Sequence, residues 1–254
     1  MDIDNLFSVR GRVALVTGGS SGIGQMIATG LAAAGAKVYI CARSADKIAA
    51  AAAEIDGDVI GLTADLSSVA GIDALVAEIG AREGALHILV NNAGTLTDAP
   101  LDEFSEAAWD DVIDLNLKTP FFLMQKLLPR LRADATAERP ATVINIGSVG
   151  ALKIGPREVY SYQASKGAIH WLTKSIAKKL GPDNVTVNAI APGFFESEMT
   201  VITSEEMRAM VIGMVPRRRT GTPEDVAGAA IYLASRAGAY VTGSVIPVEG
   251  GLAI

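Results

Sequence analysis

The chain has 254 residues, half of them hydrophobic and a fifth charged, which is ample material for a core and excludes global disorder. One cysteine and two histidines exclude a disulfide framework and a Cys/His metal cluster, so no metal is expected. A formal net charge of −6 argues against a general nucleic-acid binder. The opening Met1-Asp2-Ile3-Asp4-Asn5-Leu6 has neither a basic nor an apolar region of the secretory kind, and no uninterrupted apolar stretch is long enough to span a bilayer. A cytoplasmic protein that neither crosses nor enters membranes is therefore expected.

Strand candidates rich in β-branched residues lie at 13–17, 37–41, 59–62, 88–91, 142–146, 185–190 and 244–248, with Ala/Leu-rich helical patterns between them. The strands are continuous apolar runs, as expected when both faces are covered, and strand–helix alternation predicts a parallel sheet. The fold class is α/β: a single Rossmann-type, doubly wound sheet of about seven strands with helices on both faces, as one domain over 1–254. A helix from about 161 to 180 stops at Gly181-Pro182, and another opens at Thr222-Pro223-Glu224-Asp225 with a capping Thr and a first-turn Pro. The polar stretch 133–141 is expected to be a surface loop.

Strand one runs into Thr17-Gly18-Gly19-Ser20-Ser21-Gly22-Ile23-Gly24, and a helical pattern follows at once. Glycines between a strand and a helix let backbone N–H groups approach a pyrophosphate at the positive helix end. A site for an unphosphorylated ribose usually has an acid at the end of strand two. Here that place reads Cys41-Ala42-Arg43-Ser44, and Arg43 could pair with a 2′-phosphate. The expected cofactor is NADP(H).

Together with Asn91-Asn92-Ala93-Gly94, Ser148, Tyr162-Gln163-Ala164-Ser165-Lys166 and Pro192-Gly193, the glycine segment makes the chain resemble the short-chain dehydrogenase/reductase family over nearly its whole length. Gly22-Ile23-Gly24-Gln25-Met26, Ile40-Cys41-Ala42-Arg43, Asn145-Ile146-Gly147-Ser148 and Gly238–Gly243 are most similar to its NADPH-dependent 3-oxoacyl reductases, in particular those of the rhamnolipid type. The resemblance implies Ser148, Tyr162, Lys166 and Asn116 as the catalytic set. In it Ser148 bonds the substrate oxygen, Lys166 also holds the nicotinamide ribose, and Asn116 holds a water linking the lysine to solvent. It further implies cofactor contacts at Thr17, Gly18, Ser20–Gly24, Asp65, Leu66, Asn92, Ala93, Gly94, Pro192, Gly193, Phe195 and Ser197. Phe195 and Ser197 depart from the family's aliphatic residue and threonine. Tyr162 and Lys166, four apart on a helix, share a face, and a cation there should lower the phenol's pKa. The expected function is an NADPH-dependent carbonyl reductase acting on a 3-oxoacyl thioester or related apolar β-keto substrate. The alternatives are an NADP-dependent alcohol/ketone oxidoreductase of a sugar acid, steroid or terpenoid, and a catalytically inactive dinucleotide sensor.

Several residues stay open. Met207, Met210, Val211, Met214 and Val215 follow a helical stripe that either packs on the core or, within 194–215 and with Met199, forms a lid over an apolar substrate. Arg217-Arg218-Arg219 is a solvated or ion-paired run, or a docking patch for an acidic carrier protein. Tyr160 belongs to packing or the pocket wall, His87 and His170 to structure or interfaces, and Cys41 to the core. The helix after Tyr162 and the apolar tail 240–254 match the surfaces through which this family builds homotetramers.

Overall fold

The computed structural model describes residues 1–196 and 204–254. Ser197 and Met199 lie outside them. Seven strands form one sheet: β1 Val13–Thr17, β2 Lys37–Ala42, β3 Val59–Thr63, β4 Ile88–Asn91, β5 Ala141–Ile146, β6 Val185–Pro192 and β7 Val245–Val248. All pairings are parallel, in the order β3-β2-β1-β4-β5-β6-β7. The order reverses between β1 and β4, where Val16 lies opposite Val90, and such a switch point opens a crevice at the carboxyl ends of the strands.

Successive strand residues serve opposite cores. Ala14, Val16, Ile88, Val90 and Ile144 pack with Ile27 and Leu31 of α2 (Gly22–Ala33), Ile48 of α3 (Ala45–Glu54) and Val226 and Leu233 of α9 (Pro223–Ala234). Leu15, Leu89 and Val143 pack with Ile72 and Leu75 of α4 (Val69–Arg82), Leu123 and Leu127 of α6 (Thr119–Ala133) and Ala177 of α7 (Tyr160–Leu180). The short α1 (Ile3–Leu6), α5 (Glu106–Ile113) and α8 (Glu205–Met214) complete the α-helices of the described residues. Serines start four of them: Ser44, Ser68, Ser105 and Ser204 accept from Lys47 N, Gly71 N, Ala108 N and Met207 N at 3.3, 3.2, 3.2 and 3.1 Å. Thr222 and Asp225 close a capping box on α9.

The loop expected over 133–141 is shorter. Pro140 and Ala141 are buried, and β5 already begins at Ala141. The cause is Arg12, buried beneath the sheet, whose guanidinium donates to the carbonyls of Ala234 (2.9 Å), His87 (3.1 Å) and Pro140. Burial holds its pKa down at about 10. His87 is structural, as expected: its Nδ1 accepts from Val13 N at 2.9 Å.

Candidate active site

The crevice is a cavity of about 500 Å³. Its lining gathers Gly18, Ser20, Ser21, Gly22, Ile23, Arg43, Asp65, Leu66, Asn92, Ala93, Gly94, Ser148, Tyr162, Lys166, Pro192, Gly193 and Phe195, all of them candidates from the sequence. Ser44, Lys47, Ser67, Leu115, Ile146 and Gly147 line it as well, and none of them is among the contacts the sequence implies.

At the floor, Gly18 and Gly22 have φ of 63° and 55°, which L side chains rarely adopt. A Cβ on Gly24 would overlap the Gly18 carbonyl oxygen and Asn92 Nδ2. Thr17 and Gly24 therefore shape the turn from behind the wall. The Thr17 hydroxyl accepts from the amides of Asn92 and Ala93, both at 3.0 Å, and Asn92 Nδ2 donates to the carbonyls of Thr17 (2.9 Å) and Gly18 (3.0 Å). Helix α2 begins at Gly22 with no side-chain cap from Ser21, so its first amides face the cavity end without a side-chain acceptor. The residues present thus fit a dinucleotide pyrophosphate. Arg43 is exposed at the rim, and its charge adds to the hydrogen bonds from Ser67 that hold the Asp65 carboxyl below its usual range.

At the other end, β5 leads into Ser148, which caps a short turn by accepting from Gly150 N at 3.0 Å. Helix α7 presents Tyr162 and Lys166 on one face. Lys166 Nζ lies 5.5 Å from the Tyr162 ring centroid and donates to the Ile146 carbonyl at 2.7 Å. Lys166 is buried, and burial lowers its pKa to about 8. The Tyr162 phenol shifts opposite to the sequence expectation. Burial raises it, and the hydrogen bond with Ser148 and the charge of Arg157 only partly offset this. Desolvation outweighs charge here, and it pushes the neighbouring lysine toward neutrality too. Tyr162 is therefore a neutral phenol, the form that donates a proton.

Asn116 is tied down by its own side chain. It sits in a π-helical turn, Asp114–Lys118, between α5 and α6. Its Oδ1 accepts from Thr95 N at 2.8 Å, and its Nδ2 donates to Thr95 O (2.9 Å) and Ser165 Oγ (3.1 Å). The side chain braces the loop after β4 against α7. Tyr160 is a packing residue, edge-on to Phe104 at 5.8 Å and donating to Glu158 at 2.7 Å. Phe195 is buried, and its ring fills the space left by Gly221, where a Cβ would overlap it. That pairing accounts for a large aromatic at this position. Of the stripe along α8 and the residue after it, only Val211 and Val215 are buried, while Met207, Met210 and Met214 are exposed. Of the arginine run, Arg219 pairs with Asp225 at 2.9 Å and Arg218 donates to Gly213 O at 2.6 Å. Cys41 is buried, its thiol pushed up to about 12. Among the described residues no group of His, Cys, Asp or Glu could hold a metal, and no helix is long and apolar enough to cross a membrane.

A parallel doubly wound sheet with a glycine-rich first turn and a serine, tyrosine and lysine at its crevice defines an oxidoreductase of the short-chain type, and the chain belongs to the short-chain dehydrogenase/reductase family. A family model described as Enoyl-(Acyl carrier protein) reductase matches residues 18–253. The chain is 47% identical over 249 residues to the Rhamnolipids biosynthesis 3-oxoacyl-[acyl-carrier-protein] reductase of Pseudomonas aeruginosa, covering 96% of this chain and 97% of that one. It is 37% identical over 245 residues to the 3-oxoacyl-[acyl-carrier-protein] reductase FabG of Vibrio harveyi, covering 96% and 98%. The solved Pseudomonas aeruginosa RhlG/NADP active-site complex superimposes with a TM-score of 0.95 at 46% identity, over 98% of this chain and 99% of that one.

Proposed function

We propose that the protein is an NADPH-dependent ketoreductase of 3-oxoacyl thioesters. The observation that carries this is the meeting of Ser148, Tyr162 and Lys166 in the cavity that begins at the glycine turn. The similarity to 3-oxoacyl-[acyl-carrier-protein] reductases supports the substrate class, and Arg43 at the end of β2, in place of an acid, supports the phosphorylated cofactor. When bound, the nicotinamide supplies hydride. The chain supplies the remaining work. The first-turn amides of α2 receive the pyrophosphate. Ser148 orients the carbonyl oxygen, and Tyr162 Oη, held neutral by burial, gives that oxygen its proton. Lys166 spends one N–H on Ile146 and has others for ribose hydroxyls. Asn116 holds the Thr95 loop beside α7, and any water relay would run through that braced corner. The exposed Met207, Met210 and Met214 of α8 act as a lid that adapts to an acyl chain. The enzyme assembles as a homotetramer in the cytoplasm.

The test is NADPH oxidation by the purified protein with 3-oxoacyl thioesters of coenzyme A and of acyl carrier protein, beside sugar acids, steroids and terpenoid ketones. Turnover should be fastest with a thioester and lost in Tyr162→Phe. A protein that oxidises NADPH with none of these ketones would overturn the proposal.

A further inference from the structure

Gly147 is the residue between the Ile146 carbonyl, which holds Lys166, and Ser148, which bonds Tyr162. Its amide donates to Ile190 O at 2.7 Å, so it continues the β5–β6 ladder one step beyond the last strand pair. The imidazole of His170 lies directly against it: a Cβ on Gly147 would come within 2.6 Å of His170 Cδ2 and closer still to Nε2. His170 is buried one turn beyond Lys166 on α7, and its Nε2 has no hydrogen-bond partner among the described residues. A buried ring nitrogen without a partner is an expense that a plain core filler avoids. The ring's contact with the one glycine joining two candidate catalytic groups is what sets this histidine apart.

We propose that His170 is a positioning residue, a wedge between α7 and the end of β5 that fixes the Ile146–Gly147–Ser148 backbone relative to Tyr162 and Lys166. The inference rests on the ketoreductase reading of those residues. The wedge works as a flat, neutral ring. Burial, then the charges of Lys166 and Lys174, lower the His170 pKa to about 4, so no second cation stands beside Lys166 near neutral pH. Two features follow from geometry alone. Position 147 must lack a side chain while the ring is there. Without the ring, the segment loses its backing on the α7 side, and small misplacements of reacting groups are expensive in rate.

The experiment is a two-residue cycle with steady-state kinetics and NADPH binding. His170→Ala should lower kcat by roughly 10- to 100-fold while the NADPH dissociation constant and the ketone KM stay within about threefold. Gly147→Ala should be damaging in the parent and much milder in the His170→Ala background, because the overlap is with the ring. Should Gly147→Ala alone fail to fold, recovery of folding on adding His170→Ala is the same coupling read as stability. Parent-like kcat in His170→Ala, or an equal effect of Gly147→Ala with and without the ring, would overturn the wedge. Neither result touches the catalytic reading, which fails if the parent reduces none of the ketones or if Tyr162→Phe still turns over.

Discussion

Tyr162 and Lys166 show that at the scale of single residues burial decides the protonation states of this site. Lys166 has a pKa of about 8 when folded, against 10.5 in its ordinary state. Between about pH 8 and 10.5 the unfolded chain therefore holds a proton that the folded one has released, and stability rises with pH wherever the unfolded state binds more protons. Thermal unfolding of the cofactor-free protein should show this rise, and Lys166→Met should lack it; identical slopes would mean the lysine is not desolvated. The Arg43 position carries the cofactor preference. An acid there would accept from a ribose diol and repel a phosphate, whereas Ala42 does neither and Arg43 attracts the phosphate. Arg43→Ala should weaken NADPH by roughly 10- to 1,000-fold and leave NADH nearly unchanged, and Ala42→Asp should disfavour NADPH further by repulsion. A parent enzyme that already used both cofactors equally would remove this role from Arg43.

The turn from β1 into α2 is the element most sensitive to a single methyl group. In Gly24→Ala the new Cβ meets a backbone carbonyl and Asn92, neither of which can swing away. NADPH affinity should fall at least tenfold, readable by fluorescence titration, with the rest of the sheet intact. At the far end of the chain, Asp225→Ala removes the capping box of α9 and the Arg219 ion pair, and stability should drop by about 1 kcal/mol in chemical denaturation. The strands and the glycine turn were legible in the sequence because burial on both faces leaves unbroken apolar runs and a strand–helix turn needs glycine. The Tyr162–Lys166 face was legible from helical spacing. The direction of the Tyr162 shift was not, since spacing reports charge neighbours but not loss of water. The π-helical turn around Asn116 follows no sequence period. The Phe195–Gly221 and His170–Gly147 contacts join distant elements, and local pattern carries no trace of them.

Across the whole molecule, the apolar surface is uneven. Trp171 on α7 and Ile254 at the tail are 73% and 96% exposed, and Tyr240 is fully so. Those are the faces the proposed homotetramer would cover, and light scattering at micromolar concentration should give four subunits; a stable monomer would refute the assembly. The opposite pole of the sheet from the crevice is closed by Arg12. Its one guanidinium takes carbonyls from the residues before β4 and β5 and from the end of α9. Pulling any of these away strands a buried cation, so the three segments have no cheap way to open separately. In native-state hydrogen exchange, amides of β1, β4 and β5 should share one opening free energy, equal to that of global unfolding. Amides around the crevice can exchange sooner. The molecule then has a locked base and a free upper rim, and substrate could come and go there without loosening the domain that carries it.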